Sequence, residues 1–157
     1  DTPGHVDFSY EVLFFKQKTA DDMKRGLVGS EMCIRDRYYR NDLMMFAFKS
    51  DLQKAFFNLF KNAIEAMKDL KSRKRVDIFV EKEGNFAKIS ISDTGPGMTP
   101  EAVRNAFKNP VTTKKGGTGV GLLIVKNSVE NSGGTIEIAK SKKQRTVFVA
   151  KIPLVTE

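Results

Sequence analysis

Residues 92–98 read Ser-Asp-Thr-Gly-Pro-Gly-Met, and the prediction of the fold starts from this stretch. Upstream, residues 86–92 alternate apolar and polar side chains with the period of a half-buried strand. Downstream, Thr99 and the proline after it are typical of a helix start. Asp93 is therefore predicted to end a strand, with two glycines beyond it that let a ligand approach the backbone. Such a carboxylate can accept hydrogen bonds from an amino group. A tight turn capped by the aspartate is the alternative.

The bulk composition indicates one soluble domain. With 157 residues, the chain is long enough for one domain with a core and too short for two full domains. Its 40% of hydrophobic and 29% of charged residues are ordinary for a globular protein. The net charge is +8, but its lysines are scattered, which favours a solvated surface over a nucleic-acid stripe, so no nucleic-acid partner is predicted. The single Cys33 excludes an internal disulfide framework and a cysteine-based zinc site. No apolar run reaches the roughly 18 residues of a membrane span, and a cytoplasmic location is expected.

The first 37 residues do not fit the pattern of the rest. Residues 1–12 resemble a nucleotide-binding motif of translational GTPases, but the chain has neither a Gly-x-x-x-x-Gly-Lys-Ser/Thr loop nor an Asn-Lys-x-Asp segment. Residues 14–37 resemble a translated sequencing adapter. Residues 1–37 are therefore predicted to be a foreign, artefactual segment and not a domain, with few contacts to the rest and no part in nucleotide binding. A natural N-terminal extension is the alternative. His5 and Cys33 are accordingly given no functional role.

A helix is predicted over 51–70, after a short strand within 43–48 and with Ser50 or Asp51 as its N-cap. Apolar side chains recur there at three- and four-residue steps and define one face. That face consists of Leu52, Phe56, Leu59, Ala63 and Met67. Asn58 and Asn62 stand together on another side. Amides on a partly buried face need partners, and a solvated polar face is the alternative reading.

Four strands and two helices are predicted after this helix. The strands are 76–80, 86–92, 135–139 and 146–154, and the helices are 100–107 and 119–131. Glycines at 116, 117, 119 and 121 run directly into the second of these helices. Free backbone N–H groups at such a helix start can bind phosphate oxygens. The segment is not a Walker loop, because Leu122 stands where the lysine would be required.

Four motifs, in this order, resemble the N, G1, F and G2 boxes of sensor histidine kinases. They are Asn-Leu-x-x-Asn-Ala-x-Glu-Ala-Met from Asn58, Asp-x-Gly-x-Gly-Met from Asp93, Phe107 with Thr-Thr-Lys-Lys at 112–115, and Gly-Thr-Gly-Val-Gly-Leu from Gly117. The resemblance covers about residues 40–155. It implies that residues 38–157 form the ATP-binding catalytic domain of two-component signalling, in the superfamily shared with DNA gyrase and MutL. The implied fold is a two-layer α/β sandwich, a mixed sheet with helices on one face.

The resemblance also implies roles for individual residues. Asn62 would coordinate Mg²⁺ through its side-chain oxygen, and Asn58 would support the phosphate and metal end. Asp93 would accept the adenine amino proton, with Gly95 and Gly97 giving the base room. The other implied nucleotide contacts are Thr112, Lys114, Gly117, Gly119, Gly121 and Leu122. Residues 99–118 would form a mobile lid over the ATP.

The resemblance also separates a kinase from a hydrolase. Gyrase-like and MutL-like ATPases place a glutamate one helical turn before the magnesium asparagine, where this chain has Asn58, which cannot act as a base. The implied reaction is phosphoryl transfer to a histidine on a dimerisation domain, with a response regulator as the further partner. Residues 38–50 contain no histidine, so autophosphorylation by this chain alone is not expected. The alternatives are an anti-sigma-type serine kinase, another ATPase of the superfamily or a non-catalytic binding module. Membrane anchoring of the parent kinase is left open.

Overall fold

The computed structural model describes residues 4–7, 32–38, 43–71, 74–108, 120–142 and 145–155, with only the backbone described at 4–7, 32–38, 46 and 140–142. In chain order the elements are β1 (Gly4–Asp7), β2 (Met32–Tyr38), β3 (Met44–Ala47), α1 (Lys49–Met67), β4 (Lys74–Glu83), β5 (Phe86–Asp93), α2 (Pro100–Asn105), α3 (Gly121–Asn131), β6 (Thr135–Lys142) and β7 (Arg145–Pro153).

Five strands form the main sheet in the order β2-β4-β5-β7-β6. The β2–β4 pair is parallel and the other three pairs are antiparallel. The sheet is therefore mixed as described, but its parallel pair involves the N-terminal segment, and its four strands from β4 onward pair antiparallel. All four strands predicted after residue 70 are present. β4 runs on to Glu83 because it pairs with β5 as far as a two-residue turn, in which Gly84 has a φ of 59°.

Helix α1 buries the apolar face that its sequence predicts. Leu52, Leu59 and Met67 are fully buried in one core with the inward side chains of β4, β5 and β7. The predicted N-cap is wrong, because the helix begins at Lys49 and Phe48 is its N-cap residue. The first helical hydrogen bond already runs from the Leu52 N–H to the Phe48 carbonyl at 3.1 Å. Ser50 and Asp51 therefore lie inside the first turn.

The other two helices lie within two residues of their predicted bounds: α2 ends at Asn105 and not at 107, and α3 begins at Gly121 and not at 119. The Thr99 hydroxyl accepts a hydrogen bond from the Ala102 N–H at 3.1 Å, which confirms it as the N-cap of α2. Helix α3 contributes Val125 and Val129 to the same core as α1, so the helices cover one face of the sheet as predicted. It ends where Gly133 adopts a φ of 74°. A side chain at Gly134 would collide with the Lys151 carbonyl of β7.

The N-terminal segment pairs with later strands through its backbone, β1 in a separate two-stranded sheet with β3 and β2 in the main sheet. β1 pairs antiparallel with β3, and β2 pairs with β4 in a ladder from Met32↔Lys74 to Tyr38↔Val80. The expectation that residues 1–37 make few contacts is therefore wrong for these two strands. Without β2, the outer edge of β4 would present unpaired N–H and C=O groups, and any extended segment can satisfy them. The foreign origin of residues 1–37 stays a prediction.

Candidate active site

Asp93 is a buried carboxylate at the end of β5. Its residue is 6% exposed and lies in the sheet between Val76 of β4 and Thr146 of β7. The Gly95 N–H donates a hydrogen bond to its Oδ1 at 2.8 Å. Burial raises the pKa of Asp93, and the Gly95 hydrogen bond partly offsets that rise. A carboxylate has more acceptor capacity than one N–H uses, so Asp93 can also accept a bond from a ligand amine.

The two glycines after Asp93 are required by space and by backbone conformation. A Cβ at Gly95 would lie 2.8 Å from Asp93 Oδ1 and 3.2 Å from the Ala66 Cβ of α1. Any side chain there would therefore fill the gap between the strand end and the helix. Gly97 has a φ of 81°, in the region that favours glycine. The loop is therefore narrow on its α1 side, and only the absence of a side chain at Gly95 keeps this gap open.

The asparagines of α1 meet the start of α3. A Cβ at Gly121, the first residue of α3, would lie 3.3 Å from Asn58 Oδ1 and 3.9 Å from Asn62 Oδ1. The Asn58 Nδ2 donates to the Lys54 carbonyl at 2.8 Å, an arrangement that leaves its oxygen on the Gly121 side. Two motifs that are about 60 residues apart in sequence therefore converge at one point. The glycine supplies the space that lets them do so.

The meeting of Asn58, Asn62 and the start of α3 suits a phosphate group that carries a bound metal ion. Side-chain amide oxygens are hard ligands of the kind that Mg²⁺ accepts, and a helix N-terminus offers unpaired N–H groups to phosphate. Val120, the N-cap residue of α3, makes no side-chain capping bond. Within the part of the chain that the structure describes, no three His, Cys, Asp or Glu side chains cluster as a metal site. Asn58, Asn62 and the start of α3 fit the group that the sequence predicts.

The remaining predicted site residues divide into two groups. Leu122 is half-buried and packs against the core beside this cluster, and Phe107 stacks edge to face on Phe148 of β7 with ring centroids 6.3 Å apart. Thr112, Lys114, Gly117 and Gly119 lie outside the described residues, as does most of the predicted lid. The structure places Gly95 between Asp93 and Ala66 of α1, and it places Gly121 against Asn58 and Asn62 on the preceding two turns of the same helix. Gly97 and Leu122 follow these two glycines closely in sequence.

Two residues beside Asp93 were not found from the sequence. Thr146 is 5% exposed and lies directly opposite Asp93 in the ladder. Its neighbour Arg145 donates from Nε to the Ser92 hydroxyl at 2.9 Å. The sequence offered only a weak signal, a pair of polar residues at the start of a closing strand. Strand register, which local sequence does not reveal, is what brings them to the site.

Comparison with known proteins identifies the family. Residues 48–156, more than half of the chain, match the family described as histidine kinase-, DNA gyrase B-, and HSP90-like ATPase. The chain belongs to this ATPase family. The resemblance of its four motifs to the catalytic domain of sensor histidine kinases is thereby confirmed. Curated relatives of this ATPase domain include proteins named as sensor histidine kinases, and the serine-kinase alternative is not favoured.

Three relatives illustrate the similarity. The ATPase domain is 33% identical over 121 residues to sporulation kinase A of Bacillus subtilis, covering 76% of this chain and 19% of that protein. It is 32% identical over 123 residues to the sensor histidine kinase ZraS of Escherichia coli K12, covering 77% of this chain and 26% of that protein. It is 41% identical over 96 residues to the sensor protein CitS of Bacillus subtilis, covering 61% of this chain and 18% of that protein. The chain thus spans about a fifth to a quarter of these relatives.

Solved structures agree on the fold. The catalytic domain of histidine kinase ThkA superposes with a TM-score of 0.81 at 22% identity, covering 98% of this chain and 96% of that one. The mycobacterial sensor histidine kinase MprB gives a TM-score of 0.76 at 20% identity, covering 99% and 100%. The predicted two-layer α/β architecture of the ATPase domain is therefore confirmed.

Proposed function

We propose that this chain is the ATP-binding catalytic unit of a bacterial two-component sensor histidine kinase. In this proposal it binds Mg-ATP and donates the γ-phosphoryl group to a histidine on a dimerisation domain. The observation that carries the proposal is the placement of one buried acceptor, Asp93, in the same region as the Asn58–Asn62–Gly121 convergence. A nucleotide needs such a base-reading end and such a phosphate end in one pocket.

Asp93 is proposed to select the base. The exocyclic amine of adenine is a donor that the carboxylate can accept, whereas guanine has a carbonyl oxygen at that position. A buried carboxylate facing that oxygen would keep its desolvation cost and gain no hydrogen bond. Gly95 keeps the space beside Asp93 open, since even a methyl group there would lie 2.8 Å from its Oδ1.

The asparagines are proposed to hold the metal and orient the phosphates. Bound Mg²⁺ would neutralise charge on the transferring phosphoryl group. Asn62 and Asn58 would offer their amide oxygens, and the N–H groups at the start of α3 would bind phosphate oxygen. Gly121 permits this approach, because its missing side chain would otherwise press on Asn58 Oδ1 at 3.3 Å.

Transfer to a protein side chain is favoured over hydrolysis. Asn58 is a neutral amide whose Nδ2 is already bonded to the Lys54 carbonyl, so it cannot take a proton from water. The chain has one histidine, His5, in the segment predicted to be foreign. We therefore propose that the acceptor histidine lies on another domain, that this chain alone does not label itself, and that a response regulator receives the phosphoryl group. ThkA has been solved in complex with the response regulator protein TrrA, which supports a partner of that class.

A cytoplasmic location is proposed, since that is where ATP and a response regulator would meet the domain. Across the described segments, no helix combines the length and apolar character needed to cross a membrane.

The test is a competition experiment on the full chain. A fluorescent ATP analogue is titrated with Mg²⁺ and with EDTA, and is then displaced with ATP or GTP. We expect tighter binding with Mg²⁺ and displacement by ATP at least tenfold better than by GTP. Equal displacement by the two nucleotides would contradict the assignment of Asp93. Incubation with γ-labelled ATP alone should leave the protein unlabelled.

A further inference from the structure

The hydroxyl of Thr94 joins three elements behind the proposed base pocket. It accepts a hydrogen bond from the Arg75 N–H at 3.0 Å and donates one to the Met67 sulfur at 3.3 Å. Arg75 lies at the start of β4, and Met67 is the last residue of α1. The Thr94 N–H adds a bond of 3.1 Å to the Arg75 carbonyl. One small side chain thus ties the Asp93 loop to both β4 and α1.

These contacts lie at the C-terminal end of α1, beside the proposed base-reading residue. Asp93, immediately before Thr94, reads the base in the proposed function, while α1 carries Asn58 and Asn62. On the other side, the backbone of Gly95 is held by Asp93 Oδ1 at 2.8 Å and faces Ala66. Met67, the acceptor on α1, is 0% exposed, so this end of the helix is fixed in the core. The Thr94 hydroxyl therefore helps to fix the loop relative to the helix.

We propose that Thr94 is a positioning residue that holds the Asp93 loop against the end of α1 and thereby sharpens selection of an aminopurine nucleotide. The inference rests on the proposed function, in which Asp93 accepts a bond from the exocyclic amine. Loss of the hydroxyl leaves the part-buried Arg75 N–H without its side-chain acceptor and releases the loop from Met67. The hydrogen bond between Asp93 and the amine is then held less firmly in position, while the contacts to the phosphates are unchanged.

The test compares two nucleotides that differ in the group that Asp93 would read. ATP carries an exocyclic amine, and inosine triphosphate carries an oxygen there. Their dissociation constants are measured for the full chain and for Thr94→Val, which keeps the shape and removes the hydroxyl. Thr94→Ser, which keeps the hydroxyl, is the rescue variant. Thr135→Val, at an exposed threonine that begins β6, is the matched control.

We expect Thr94→Val to weaken ATP about tenfold and inosine triphosphate less than about threefold, so that the preference for ATP falls. Thr94→Ser and Thr135→Val should keep that preference within about twofold. A purely structural loss lowers the folded fraction and weakens both nucleotides equally, so an unchanged preference in Thr94→Val would overturn the inference. If Thr94→Val does not fold, Thr94→Ala gives the same measurement. Failure of the unsubstituted chain to prefer ATP would instead refute the proposed role of Asp93.

Discussion

At the scale of single residues, Asp93 combines a stability cost with the binding role proposed for it. Burial raises the pKa of this carboxyl, so its ionised form is disfavoured in the folded chain. Between the ordinary aspartate pKa, about 3.9, and the raised one, the folded state binds more protons than the unfolded state. The stability contribution of Asp93 therefore falls as the pH rises through this window. A ligand that bonds to the carboxylate would compensate for this cost.

Asp93→Asn separates the two effects. We expect ATP to bind at least tenfold more weakly, because the amide loses the charge and one acceptor site. The nucleotide-free chain should be no less stable at neutral pH, since no buried charge remains. The measurements are ATP titration at pH 7 and urea unfolding from pH 4 to 8. Unchanged ATP affinity would mean that Asp93 is only a turn residue.

Asn62→Asp tests the metal end without touching the base. A carboxylate beside the triphosphate changes the charge that Mg²⁺ meets, so we expect the magnesium concentration for half-maximal ATP binding to change severalfold. Without magnesium, ATP should bind more weakly than to the unsubstituted chain, because like charges repel. Asn127→Asp, the same change at an exposed position of α3, is the control. A magnesium dependence that is identical in both variants would contradict the role given to Asn62.

At the scale of elements, the inner face of α1 holds the site in place. Leu59 lies one position after Asn58 and is 2% exposed, whereas Phe57, one position before it, is 37% exposed. Leu59→Ala is expected to lower the free energy of unfolding by about 2–5 kcal/mol through the cavity it leaves. Phe57→Ala should cost less than about 1 kcal/mol by comparison. Urea unfolding of both variants tests this prediction. Equal losses of unfolding free energy in the two variants would mean that α1 does not pack as described.

At the scale of the whole molecule, the N-terminal segment protects the edge of the sheet. Deletion of residues 1–37 removes β1 and nearly all of β2, and leaves the outer edge of β4 without its ladder. We expect the free energy of unfolding to fall by about 2 kcal/mol or more and the shortened chain to self-associate through that edge. ATP binding should survive, because the residues assigned to the site all lie beyond 37.

Deletion of residues 1–31 is the matched control, because it keeps β2. Urea unfolding, sedimentation velocity and ATP titration are compared for the two truncations. If the 38–157 chain is monomeric and as stable as the control, pairing of β2 contributes nothing, and the original expectation of few contacts holds in energetic terms.

The sequence by itself predicted the helices and strands beyond residue 43 to within a few residues, together with the candidate residues of the site. The apolar period of α1 and the Thr99 cap are local signals, readable over a few residues because they reflect helix geometry and backbone sterics. The motifs around Asn58 and Asp93 are also local signals, because each is a short run of consecutive residues. The structure confirmed the α/β architecture and the buried helix face.

Only the tertiary structure decided which distant groups meet. Gly121 faces Asn58 and Asn62 across the α1–α3 contact, Thr94 bonds to Met67, and Thr146 lies opposite Asp93. The pairing of β2 with β4 was not predicted, because a strand ladder is made of backbone groups that nearly every residue possesses. Local patterns therefore fix what each segment is, whereas register and packing, which depend on the whole chain at once, fix what it touches.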